Sequence, residues 1–180
     1  MYATPESLPR LTAEEYLEWE SQQEIRHELV DGYLYGMTGA SLRHDEIAMN
    51  VASALHVHLS GGPCRVYKSD IKVDVANNFY YPDLVVRCDD NQSSKNKFSI
   101  SDPRIIVEVL SPSTQRFDRG DKRLAYLQIP TLTDYVLVSQ DSQFIQHFAG
   151  NGSVITLSGD TESLTIESLQ FSIKLSEIYR

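Results

Sequence analysis

Residues 104–110 read Arg-Ile-Ile-Val-Glu-Val-Leu. An apolar run this dense fits a central strand covered on both faces. Its middle carries Glu108. Burying an ionised carboxylate costs on the order of several kcal/mol unless the charge is paired or binds a metal. Two demands follow. The strand needs packing layers above and below it, and Glu108 needs a partner, either a Lys or Arg side chain or a cation.

The rest of the chain supplies the layers. Thr12 and Glu15 form a capping box, with Leu11 and Tyr16 spaced as a hydrophobic staple. This predicts a helix over about 13–22. Asp31-Gly32 between two apolar runs predicts a tight hairpin that sets Val30 opposite Tyr33 and Glu28 opposite Tyr35. Ser41 is placed to cap a second helix. Ile47, Val51, Leu55 and Leu59 lie along its inward face, His44 stands at the start of that stripe, and Gly61-Gly62-Pro63 ends it. Strands are expected over 70–75, 80–87, 104–110, 134–139, 144–149 and 153–157. The polar stretch 89–101 reads as a mobile loop. One helix is expected over 117–128, weakened by Gly120 and stopped by Pro130. The unit from Arg104 to Ser139 then reads as a right-handed parallel crossover. The expected fold is α/β, a mixed sheet flanked by helices, in one domain over 1–180.

No apolar stretch approaches the ~20 residues of a membrane span, and residues 1–10 lack the features of a signal peptide. Cys64 and Cys88 are too few for a disulfide framework and read as reduced thiols of a cytoplasmic protein. Net charge is −9, which repels bulk nucleic acid, whose non-specific binding rests on phosphate neutralisation. The charge is unevenly spread. Residues 95–123 hold seven Lys/Arg against four Asp/Glu, a local excess that suits an electropositive rim around an anion site.

Asp83 follows Pro82 and opens Leu84-Val85-Val86. A second acid at the start of a strand, next to one buried in a neighbouring strand, makes a hard-oxygen pair suited to Mg²⁺. Pro82-Asp83 followed by Glu108-Val109 resembles the PD-(D/E)XK nuclease superfamily. More of the chain is similar to one branch of it, the Uma-two family of restriction endonucleases. The matching residues are Glu28-Leu-Val-Asp31-Gly32, Met37-Thr-Gly-Ala-Ser41 with His44, Tyr81-Pro-Asp83, and Val107-Glu108-Val-Leu-Ser-Pro-Ser-Thr114 with Asp118, Lys122 and Tyr126.

The resemblance implies a restriction-endonuclease-like fold. It also implies a Mg²⁺- or Mn²⁺-dependent endonuclease acting on nucleic acid, with DNA as the expected partner and a 5′-phosphate product. Asp83, Glu108 and the Val109 carbonyl would hold the metal. One position departs from the superfamily: Leu110 stands where its third motif has lysine. The resemblance implies a relocated lysine, and Lys122 is the candidate, with Glu28 and His44 as auxiliary groups. Lys122 could instead form only a surface pair with Asp118, Glu28 could bond only Tyr35 or Arg26, and His44 could be a core histidine. The alternative reading of the chain is a nuclease-fold binding module for nucleic acid or protein that has lost catalysis. A homodimer joined through the edges of 134–157 is expected, since C₂ pairing would widen the footprint of a small nuclease.

Overall fold

The computed structural model describes residues 10–37, 39–88, 98–112 and 114–180. The chain opens with helix α1 (Ala13–Glu20) and a hairpin of β1 (His27–Val30) and β2 (Tyr33–Gly36). Helix α2 (Leu42–His58) leads to β3 (Cys64–Lys68), β4 (Lys72–Val75), β5 (Asn78–Tyr80), β6 (Leu84–Cys88) and the short β7 (Ser99–Ile100). Then come β8 (Ile105–Leu110), α3 (Gln115–Arg119), α4 (Asp121–Tyr126) and β9 (Asp134–Ser139). The chain closes with β10 (Phe144–Ala149), β11 (Val154–Ser158), β12 (Ser163–Ile166), β13 (Phe171–Lys174) and α5 (Leu175–Ile178).

A six-stranded sheet runs in the order β11-β10-β9-β8-β6-β3. All six residues of β8 are buried, as its composition demands. They divide by alternation. Ile105, Val107 and Val109 face α2, whose Ile47, Val51 and Leu55 fill the same core. Ile106 and Leu110 face the other way, against Tyr126 and Ile129. Glu108 shares that second face. Each fully buried aliphatic side chain contributes about 1.5–3 kcal/mol, so two such layers fix β8 and the carboxylate on it. Strand β8 pairs parallel with β9 and antiparallel with β6, giving the mixed sheet. A second, five-stranded sheet, β2-β1-β5-β4-β7, carries Glu28 on β1.

The local signals at the N-terminal end hold. Thr12 and Glu15 form the capping box, Ser41 caps α2, and the hairpin register pairs Val30 with Tyr33 and Glu28 with Tyr35. Other expectations need correction. The single helix over 117–128 is two short helices broken at Gly120, whose φ and ψ are −105° and −106°. A Cβ at Gly120 would lie 3.0 Å from the Arg116 carbonyl oxygen, so the glycine permits the break. The strands β3, β5 and β7 and everything after β11 escaped the sequence reading. Most of the loop expected over 89–101, residues 89–97, lies outside the described residues, and its end forms β7.

The cysteines are also corrected. Antiparallel pairing of β3 and β6 sets Cys64 directly opposite Cys88, with their Cα atoms 3.8 Å apart, and the two are joined as a disulfide. This removes the thiol-based ground for placing the chain in a reducing compartment. Among the described residues, no helix is long and apolar enough to cross a membrane.

Where β9 meets β10, Asp134 accepts hydrogen bonds from His147, Thr133 and Ser168, each at 2.7 Å. Burial alone would raise this carboxyl, but those bonds outweigh it and hold the pKa below its ordinary 3.8. A depressed carboxylate stabilises the fold above its unfolded pKa, and that stability is lost as pH falls through the lower native value. Asp134→Asn is therefore expected to flatten the acid side of the stability curve. Melting temperatures between about pH 5 and 2 would show it, and a variant curve parallel to the wild type would contradict it.

Candidate active site

The start of β6 lies beside the end of β8, and the rung beyond their ladder is made by side chains. The Val109 N–H donates to Asp83 Oδ2 at 2.7 Å, beyond the last backbone pair of the ladder. In return the Asp83 N–H reaches Glu108 Oε2 at 3.4 Å. The two carboxylates are clasped in register by the sheet itself.

Lys122 arrives from α4. Its side chain is 4% exposed, and its ammonium lies 2.9 Å from both Glu28 Oε1 and Glu108 Oε1. Asp118, one turn earlier, is 3.8 Å away, beyond hydrogen-bond reach. An ammonium has three N–H donors, so one remains for a further acceptor. Glu28 Oε1 also accepts the Tyr81 N–H at 2.9 Å, which ties the second sheet to the residue two before Asp83. Tyr126, one turn after Lys122, donates to Glu108 Oε1 at 3.3 Å. Burial raises its phenol well above the ordinary value, so the hydroxyl stays a donor.

One cation therefore serves several acids, and the group carries excess negative charge. Burial, the first cause, together with Asp118 and Asp83, raises Glu108 well above the usual carboxylate range despite Lys122. Burial likewise raises Asp118. Burial opposes the charge on Lys122, but Glu108 and Glu28 outweigh it and raise its pKa well above the ordinary value. Lys122 is therefore an ammonium at any working pH.

His44, in the first turn of α2, places Nε2 3.2 Å from Asp83 Oδ2. The Val109 backbone also favours the charged imidazole, an influence that belongs to its carbonyl. Burial lowers the imidazole pKa, but Asp83 and the Val109 carbonyl outweigh it and raise it. The Val109 N–H and C=O thus both face the Asp83 edge. Apart from Tyr126, which lies behind Glu108, these groups line one cleft of about 530 Å³.

The structure thus brings Asp83, Glu108, Val109, Lys122, Glu28 and His44 to one place. It removes the surface-pair reading of Lys122. Arg26 pairs with Asp70. The sequence reading named Tyr81, Tyr126 and Asp118 in the family resemblance, and Asp118 as a surface partner of Lys122, but gave none of them a part in the site. The signal for the last two was present: residues 118, 122 and 126 repeat at i, i+4, one face of a helix.

The donor set suits a hard divalent ion. Mg²⁺ is bound through one or two carboxylates and keeps several waters, and Asp83, Glu108 and the Val109 carbonyl present such oxygens. Among the described residues, no three His, Cys, Asp or Glu side chains group as a metal cage, so such an ion would complete its shell with water and substrate.

Comparison with known proteins agrees with this architecture. A solved structure titled a putative nuclease belonging to DUF820, from Anabaena variabilis, superposes with a TM-score of 0.79 over 94% of this chain and 97% of that one. Identity there is 14%, so the likeness is one of fold. Two uncharacterised proteins of Synechocystis sp. are closer in sequence. The first, slr1290, is 38% identical over 177 residues, covering 96% of this chain and 93% of its own. The second, sll1609, is 30% identical over 141 residues, covering 77% and 80%. The profile of the Uma2 family, described as "Putative restriction endonuclease", matches residues 13–176, a span that contains every group of the cleft. With sheet, cleft and profile in agreement, the chain belongs to the Uma2 family.

Proposed function

We propose that this protein is a metal-dependent endonuclease that hydrolyses phosphodiester bonds of DNA. The observation that carries the reading is Lys122, an ammonium held between two carboxylates where Asp83 meets Glu108. Asp83, Glu108 and the Val109 carbonyl would hold Mg²⁺ or Mn²⁺. Such an ion supplies charge neutralisation at the phosphate and a more acidic water.

The chain's own groups do the rest. Glu28 and Glu108 fix the direction of the Lys122 ammonium, which leaves one N–H for a water or a phosphate oxygen. That fixed charge stabilises the pentacovalent phosphate without reorganising during reaction. The Tyr126 hydroxyl holds Glu108 from the side away from the cleft mouth. His44 orients Asp83 and can hold a proton at Nε2.

Nicking of a supercoiled plasmid with Mg²⁺ or Mn²⁺ tests the reading. Activity that is lost in Asp83→Asn and on chelation supports it. A wild-type protein that binds DNA but never cuts it with either ion refutes it in favour of a binding module.

Pairing of two copies through β11 completes the proposal. This edge strand has no charged residue and no proline, and it exposes Val154 and Ile155. Natural edges usually carry such guards against pairing. Light scattering at micromolar concentration is expected to give twice the 20.4 kDa chain mass, and a monomer there contradicts the dimer.

A further inference from the structure

We infer that Arg116, Arg119 and Arg123 form a track for the phosphate backbone of the nucleic acid, leading away from the cleft along β10. The inference rests on the endonuclease reading and adds where the substrate lies beyond the reacting bond.

The cations nearer the cleft are already neutralised. Arg26 pairs with Asp70, Lys68 with Asp45, Arg43 with Glu46, and Lys122 with Glu28 and Glu108. Lys122 is committed to the reacting bond, and the other three are occupied by their acids before any flanking phosphate arrives. Arg116, Arg119 and Arg123 are different: among the described residues, none has a carboxylate within ion-pair distance. In a chain of net charge −9, three adjoining guanidiniums without acids are a local positive field.

Their positions make a line. Thr114 lines the cleft, and Arg116 stands exposed two residues later on α3. Asp118 and Lys122 face the cleft. Arg119 and Arg123 each follow by one residue, about 100° further round at 3.6 residues per turn, and meet β10 instead. The Arg119 guanidinium lies 6.0 Å from the Phe144 ring centroid and donates to Gln146. The Arg123 guanidinium lies 4.9 Å from that of Phe148.

Phe144 precedes Ile145, which pairs with Val138 toward the end of β9 that leads to the cleft residue Gln140, whereas Phe148 pairs with Tyr135 near the far end. Four residues of strand span about 13–14 Å, enough for more than one phosphate. Stacked guanidiniums over aromatic rings are pre-oriented for phosphate and tolerant of base sequence. The Arg123 Nε is buried without a hydrogen-bond partner.

The test is equilibrium binding of fluorescent duplex and single-stranded oligonucleotides, by anisotropy, in chelator and over a series of salt concentrations. Each phosphate contact contributes about 0.9 to the log–log salt slope on duplex and about 0.7 on single strands. Substituting all three arginines by glutamine is expected to reduce the slope by about 2–3. Because Arg119 and Arg123 also pack on β10, Arg116→Gln alone serves as the variant without fold risk, with a reduction of about 1. Arg180→Gln removes one charge elsewhere and should leave the slope unchanged. If wild type binds and both track variants keep its slope, the track is overturned and the endonuclease reading stands. If wild type binds with the track-dependent slope but never cleaves, the track stands and the endonuclease reading falls. If wild type binds no nucleic acid at low salt, both fall.

Discussion

Lys122→Ala is expected to slow phosphodiester cleavage by about 10²–10³-fold, the usual loss when one preorganised electrostatic group is removed. The same change leaves Glu28 and Glu108 buried without their cation, at 1% and 3% exposure. Removing one partner of a buried pair costs about 3–5 kcal/mol, so a lower melting temperature accompanies the kinetic loss. The two effects separate in a double variant. Adding Glu28→Gln neutralises one stranded acid and is expected to recover part of the stability and none of the rate. Rates are to be compared well below the variant's melting temperature. Cleavage within twofold of wild type by a folded Lys122→Ala protein would remove Lys122 from the chemistry.

Millimolar Mg²⁺ or Mn²⁺ is expected to raise the melting temperature, because cation binding favours only the folded chain. At a hundredfold excess over the dissociation constant the gain is about 2.7 kcal/mol. Asp83→Asn is expected to abolish most of it. Asparagine keeps one oxygen for the Val109 N–H, so the clasp between β6 and β8 survives while the charge is lost. Lys122→Ala is expected to keep the metal response. The gain also has a pH sign. Glu108 holds its proton above the usual carboxylate range, and a bound cation must displace that proton. Metal stabilisation therefore weakens as pH falls through the raised Glu108 value. A melting temperature unchanged by either ion, with calorimetry also silent, would rule out a metal at Asp83 and Glu108.

The legible parts of this chain were those governed by local rules. The Thr12 and Ser41 caps, the Asp31-Gly32 hairpin and the unbroken apolar run of β8 each rest on a few adjacent residues. The strands over 134–139 and 144–149 matched the structure for the same reason. What stayed hidden depends on distant partners. Strand β3 exposes Arg65 and Tyr67 at a sheet edge, so it lacks an apolar signature and is a strand only because β6 pairs with it. The disulfide needs that same pairing, and spacing alone cannot reveal it. The β12–β13 ribbon is an exception: Leu164 and Ile166, and Phe171 and Ile173, alternate with polar residues, a local strand signal that was missed, and they pack into one core with α2. Within the site, β8 announced that Glu108 needed a partner. The choice between a salt bridge and a metal was left open, because Glu28 and Lys122 converge only after two sheets and a helix have assembled.

Chain order gives the buried lysine one further consequence. Every carboxylate it meets, at 28, 108 and 118, precedes it in synthesis, as does Asp83. At ordinary ribosomal speeds of ~5–20 residues per second, roughly 1–3 s separate residue 108 from residue 122. Until Lys122 emerges, Glu108 has no cation to enter the core with. Strand β9, its parallel neighbour, comes later still. Closure of the central sheet and completion of the cleft are therefore one late event in translation. A half-made polypeptide therefore lacks the assembled cleft.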